Sequence, residues 1–171
     1  MILFCLDDIN IMIEKELKTT IQIFDGIKEL PLSIQNLMKS AFEARDNAYA
    51  PYSKFKVGAA LILDTGEVVT GNNQENASYP SGLCAERTAI YAAGANYPKA
   101  IIKAMAISAT SEKHDVLEPI APCGACRQAI AEYEQKQKQP IEIYFTGTAG
   151  KVIKVHALLD ILPLAFNNKF L

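Results

Sequence analysis

The chain has 171 residues, half of them hydrophobic, no tryptophan and a formal net charge of −2. That length suits one domain with a sizeable core, and the acidic balance gives no electrostatic footprint for nucleic acid. No apolar run approaches the roughly 20 residues of a membrane span. The apolar start from Met1 to Leu6 is broken by Asp7 and Asp8 and lacks a basic region and a small-residue cleavage site, which makes it a poor signal peptide. A cytoplasmic location is expected, where thiols stay reduced.

Ile11, Ile13, Leu17, Thr19, Ile21 and Ile23 share one parity, with Glu14, Glu16, Lys18, Thr20 and Gln22 on the other. This alternation predicts a strand with one covered face, ended by Asp25-Gly26. Residues 1–31 are read as an N-terminal extension with this added edge strand, and 32–171 as the main domain. The strand could extend the sheet, contact another subunit or lie partly disordered, and Met12 also fits as an alternative start.

Ser33 is positioned to cap a helix with apolar positions Ile34, Leu37, Met38, Ala41 and Ala48, which Pro51 stops near Tyr49. Phe55, Val57, Ala59, Leu61 and Leu63 alternate as a strand. Asp64-Thr65-Gly66 turns the chain into a second strand around Val68 and Val69. Residues 71–82, rich in Gly, Asn, Ser and Pro, read as an ordered loop. A helix follows from about Cys84 to Asn96. The run Ile101 to Ala109 is apolar on nearly every residue, as in a central strand buried on both faces. A second long helix runs from Pro122-Cys123 to about Gln137, and Glu134 to Gln139 read as its solvated end. Strands at Ile141–Phe145 and Val152–Val155 precede a last helix around Ala157–Leu162. Only Thr146 to Lys151 separates those two strands, which permits an antiparallel pair and excludes a parallel crossover.

Three of the four cysteines carry the chemistry. They lie in Cys84-Ala85-Glu86-Arg87 and in Pro122-Cys123-Gly124-Ala125-Cys126-Arg127. One cysteine plus a Cys-x-x-Cys pair offers three soft ligands to one Zn²⁺ per subunit, leaving a fourth position for water. Cys84 opens one helix, and Cys123 and Cys126 share the first turn of another, so two positive helix ends would face the metal. Three thiolates with Zn²⁺ sum to −1, and Arg87 can donate hydrogen bonds to them and restore about one charge. Glu86 is the candidate to carry protons for a bound water. Other readings remain: two disulfides, a redox dithiol of the thioredoxin sort, or a structural zinc closed by a fourth ligand such as Cys5. The first two leave Glu86 without a task. His114 and His156 lack ligand spacing and read as loop or surface residues.

Cys-Ala-Glu followed by Pro-Cys-x-x-Cys resembles the signature of the zinc-dependent nucleoside deaminases. Ala50-Pro51-Tyr52-Ser53-Lys54-Phe55, Val57-Gly58-Ala59-Ala60, Asn73-Gln74-Glu75-Asn76-Ala77 and Leu83-Cys84-Ala85-Glu86-Arg87-Thr88-Ala89 resemble the homotetrameric three-cysteine cytidine deaminases, from about Leu32 to about Phe166. The resemblance implies an α/β fold: a three-layer α/β/α sandwich with a mixed, about five-stranded sheet, its last two strands antiparallel, plus the extra N-terminal strand. It implies Cys84, Cys123 and Cys126 as zinc ligands, Glu86 as the proton carrier and Arg87 as the charge-balancing neighbour. Phe55 would lie against the base, Asn73 and Glu75 would hold ribose hydroxyls, and the Ala85 N–H would meet the base carbonyl. Phe166 would close a neighbouring subunit's site, and Tyr79 would lie between subunits. The expected partners are a small nucleoside and further copies of the chain, with no nucleic acid and no membrane. The expected reaction converts cytidine and deoxycytidine to the uridine forms in pyrimidine salvage. A blasticidin-type nucleoside, a polynucleotide or tRNA deaminase, and a non-catalytic zinc-stabilised module are the alternatives. Family members acting on nucleic acid tend to run the last strand pair parallel.

Overall fold

The computed structural model describes residues 12–170. Six strands form one mixed sheet in the order β1-β6-β5-β4-β2-β3. They are β1 (Gln22–Phe24), β2 (Phe55–Leu63), β3 (Val68–Asn72), β4 (Ile102–Ser111), β5 (Glu142–Thr146) and β6 (Val152–Val155). Three long helices cover the sheet: α1 (Leu32–Asp46), α2 (Ala85–Asn96) and α3 (Gly124–Gln137).

Strand parity sorts side chains into two core layers. Ala59, Leu61, Met105, Ile107, Ile143 and Phe145 pack with α2 and α3 through Ala89, Ile90 and Ile130. Ala60, Ala104, Ala106 and Tyr144 face α1 and meet Leu37, Met38 and Ala41. The expected three-layer α/β/α sandwich follows from this two-sided burial. Small residues beneath α1 let it sit close to the sheet. At Gly58 a Cβ would overlap the Ala41 carbonyl and the Arg45 N, so the helix and β2 are in backbone contact there.

β4 is buried almost throughout, as its nearly continuous apolar run predicts. It pairs parallel to β5 and antiparallel to β2. β5 and β6 are antiparallel, as the short turn between them requires.

Several expectations are corrected. The alternating pattern from Ile11 to Ile23 yields a ladder only at Gln22–Phe24, against Lys154, Ile153 and Val152. β6 is only four residues long, and β1 pairs with three of them. Ile13 and Ile23 stay 87% and 58% exposed, so no layer covers the apolar parity. The reading of residues 1–11 lies outside the described residues. Helix α1 begins at Leu32, with Pro31 rather than Ser33 at the cap position. It ends at Asp46, before Ala48, because Tyr49 leaves to pair with the 73–75 segment: its N–H donates to the Asn73 carbonyl at 3.0 Å, and its carbonyl accepts from Glu75 N at 2.9 Å. The last predicted helix is a single 3-10 helix at Leu158–Ile161. Pro163 prevents its extension.

The expected solvated end of α3 is also wrong at Glu134, Gln135 and Gln137, the second of which is half-buried. Glu134 is 7% exposed, and its Oε1 accepts from Ile141 N at 2.8 Å and Leu158 N at 2.7 Å. Gln137 is half-buried and bonds both the N–H and the carbonyl of Ile102. Lys136, Lys138 and Gln139 are exposed as expected.

Candidate metal centre

Cys84 is the cap residue of α2 and Cys123 that of α3; both have extended backbones and neither caps through its side chain. Cys126 follows within the first turn of α3. The Cys123 and Cys126 sulfurs lie 3.5 Å apart, and the Cys84 and Cys123 sulfurs 3.9 Å apart. All three lie within 4.8 Å of one another, and among the described residues this is the one such group of His, Cys, Asp or Glu. Thiolates about 2.3 Å from a tetrahedral zinc sit about 3.8 Å from each other. The spacing therefore suits a shared zinc ion, and it is far longer than the roughly 2 Å of a disulfide.

Charge makes the same point. The hydrogen bond with Cys126, helped by those from Arg87 and Cys123, pulls the Cys84 thiol down to about 5 against the opposing effect of burial. That same bond, with burial and the charges of Glu86 and Cys84, pushes Cys126 up. Sulfurs this close hold one negative charge at a time unless a cation joins them. A divalent metal is the ion that lets all three ionise.

Glu86 is the second residue of α2 and only 5% exposed. Burial raises its pKa above the ordinary carboxylate range, and the negative charge on Cys84 adds to this. Cys126 and the charge of Cys84 both act on its pKa, so its carboxyl group adjoins the sulfur cluster. Arg87 Nη2 lies 3.8 Å from Cys84 Sγ, and its buried Nε has no partner among the described residues. Ala85 is fully buried at the start of α2, where backbone N–H groups lack intrahelical acceptors.

A cleft of about 500 Å³ opens beside the sulfurs, and Tyr52, Asn73, Glu75, Tyr79, Cys84 and Arg87 are on its walls. Phe55, Ala85 and Glu86 do not line it. Phe55 starts β2 and is half-buried. Asn73 does more than the sequence suggests: its Nδ2 donates to the Phe55 carbonyl at 2.9 Å, and its Oδ1 accepts from Val57 N at 2.8 Å. It clamps β2 and keeps one N–H and one lone pair for other use. Glu75 Oε2 accepts the N–H groups of Tyr52 and Ser53 at 2.9 and 3.2 Å. Burial acts to raise its pKa, but hydrogen bonds from Ser53 and Tyr52 and the charge of Lys113 carry it below the ordinary value.

Tyr52 adds an aromatic ring to the cleft wall, which its sequence motif alone does not assign. Its ring centroid lies 6.4 Å from that of Tyr79. Tyr79 is 77% exposed and Phe166 57% exposed. Phe166 belongs to the chain that follows the 3-10 helix, and its carbonyl accepts from Gln128 Nε2 at 2.9 Å. His114 and His156 are exposed and stand outside the sulfur group. Cys5 lies outside the described residues. No helix among the described residues is long and apolar enough to cross a membrane.

An α/β/α sandwich with a three-sulfur centre between two helix starts defines the class. Residues 32–139 match the model of the cytidine and deoxycytidylate deaminase zinc-binding region, and the chain belongs to this family. It is 40% identical over 132 residues to the cytidine deaminase of Halalkalibacterium halodurans, covering 77% of this chain and 92% of that one. It is 37% identical over 138 residues to that of Sporosarcina psychrophila, covering 81% and 94%. Among solved structures, the cytidine deaminase from Burkholderia pseudomallei superposes with a TM-score of 0.67 at 44% identity, covering 77% of this chain and 97% of that one.

Proposed function

We propose that the chain is a zinc-dependent hydrolase that converts cytidine and deoxycytidine to uridine and deoxyuridine. The observation that carries this reading is the buried Glu86 carboxyl beside three sulfurs spaced for one zinc, next to a cleft of nucleoside size. Zinc on three thiolates supplies a Lewis acid that makes water nucleophilic near neutral pH. Cys84, Cys123 and Cys126 would hold it. In the reaction a C–O bond forms at the ring carbon bearing the amine, and the C–N bond breaks. Glu86 takes a proton from water, passes it to the adjacent ring nitrogen, then delivers a second proton to the departing ammonia. Burial raises its pKa, which favours its taking up a proton. Arg87 offsets the excess negative charge of the thiolates.

Phe55 would bear on the base, and the Ala85 N–H would donate to its carbonyl. Asn73 and Glu75 would meet the ribose hydroxyls with the hydrogen-bonding capacity their clamping of β2 and of the Tyr52-Ser53 turn leaves free. The exposure of Tyr79 and Phe166 supports a homotetramer in which these aromatics meet neighbouring subunits. Free Cys84, Cys123 and Cys126 thiols support a reducing, cytoplasmic setting, and the proposed reaction would serve pyrimidine salvage. The family match beginning at residue 32 supports reading 1–31 as an added segment and 32–171 as the deaminase domain.

The experiment is a zinc determination paired with the ultraviolet assay of cytidine and deoxycytidine, on wild type and Glu86→Gln. The variant should keep its zinc and lose at least about a hundredfold in kcat. Near-normal turnover by the variant, or wild-type protein without zinc, would overturn the assignment.

A further inference from the structure

We infer that Arg127 is a positioning residue whose guanidinium joins the turn presenting Cys123 to the C-terminal segment carrying Phe166, so that the metal centre and that segment are held as one unit. The inference rests on the deaminase reading for the roles of Cys123 and Phe166. Arg127 directly follows Cys126 on α3. Its Nε donates to the Pro122 carbonyl at 2.8 Å, and its Nη1 donates to the Ile161 carbonyl at 2.8 Å. The first bond pins the residue before Cys123. The second pins the last residue of the 3-10 helix.

The neighbouring bonds give this contact a direction. Glu134 Oε1 accepts from Leu158 N at 2.7 Å, and Gln128 Nε2 donates to the Phe166 carbonyl at 2.9 Å. Positions 134, 127 and 128 of α3 thus meet positions 158, 161 and 166 in turn. After the 3-10 helix the chain runs back along α3 and brings Phe166 to the helix end that carries the cysteines. Glu134 sets where this track starts, Gln128 where it finishes. Among the described residues, the Arg127 guanidinium hydrogen-bonds both the track and the cysteine turn.

The chemistry suits arginine in particular. Two carbonyls in fixed directions need a planar fork of N–H donors, and bonds to a charged donor are stronger than neutral ones. A lysine ammonium can reach one carbonyl but cannot reproduce the fork. Displacing the Pro122 carbonyl would let the Cys123 sulfur drift from the other two.

The test uses zinc-loaded full-length protein, a chromogenic zinc chelator, and steady-state kinetics on cytidine. Arg127→Lys should release zinc about tenfold faster, as supports of metal ligands commonly do when altered. Its KM should rise as well. Gln128→Ala should raise KM about fivefold, the loss of one hydrogen bond, with kcat and zinc release as in wild type. Glu134→Gln, at the far end of the same track, should release zinc at the wild-type rate. Wild-type zinc release by Arg127→Lys overturns the inference, as does equal acceleration in Glu134→Gln, which would mark simple loss of stability. An unchanged KM in Gln128→Ala also overturns it, whether or not Arg127→Lys folds. Zinc release is read without substrate. Wild-type protein that binds zinc but leaves cytidine untouched would therefore sink the deaminase reading while the zinc measurements still judge Arg127.

Discussion

At the residue scale, one side chain serves the site and another serves the fold. Arg87 reaches Cys84 Sγ with Nη2 and makes the centre less anionic. Its removal leaves α2 intact, because its helical bonds are backbone bonds. Arg87→Ala should therefore lower kcat/KM by about tenfold or more while soluble yield and melting temperature stay near wild type. Parallel losses of folded protein and turnover would mean that Arg87 serves folding instead. Glu134 is the opposite case. Burial, the largest influence on it, raises its pKa above 4.5, although the N–H groups of Ile141, Leu158 and Leu159 pull the other way. Folding thus favours its protonated form. The stability it contributes is fully present below its unfolded value and is lost as pH rises through the higher folded value. Glu134→Gln removes the charge and keeps an acceptor oxygen, so the variant should lose this part of the pH dependence. Denaturant unfolding of both proteins from pH 4 to pH 8 would check it. Curves that stay parallel throughout would contradict the burial argument.

At the element scale, the N-terminal strand shows how far alternation reaches. A period of two prescribes which side chains share a face, but a ladder needs a partner of matching length. β6 provides one only for Gln22–Phe24. Those three residues cover the edge of β6, while the described residues before them join no strand. Truncation through Thr20 should change stability by less than about 1 kcal/mol, since little apolar area is withdrawn from water. Truncation through Asp25 should expose the β6 edge and promote association. Thermal unfolding and light scattering on the two truncations would distinguish these outcomes, and equal behaviour would deny β1 its protective part. The same limit explains α1. Its apolar spacing places Ile34, Leu37, Met38 and Ala41 on the buried face, yet Ala48 lies outside the helix because Tyr49 bonds the 73–75 segment.

At the scale of the whole molecule, one chain leaves its cleft open beside the exposed ring of Tyr79. A site reached by bulk water has weaker internal electrostatics than a closed one. If neighbouring copies supply the closure, specific activity should rise with assembly and fall on dilution below the dissociation range. Activity measured across size-exclusion fractions would test this, and a monomer fraction of full specific activity would refute it.

The sequence alone determined the chemical inventory and much of the architecture. Cys84, Cys123 and Cys126 are legible because soft ligands at fixed spacing are rare without a metal, and β2 and β6 are legible because local alternation and short turns encode them. The antiparallel final pair follows from the length of one turn. Tertiary structure alone decided what depends on distant partners. It set the sulfurs 3.5 and 3.9 Å apart, buried Glu86, used Asn73 as a clamp on β2, drew Glu134 out of solvent and aligned the C-terminal segment on Arg127. The physical reason is range: periodicity and turn chemistry act within a few residues, whereas burial and hydrogen-bond partnership are defined only after segments far apart in the chain have packed together.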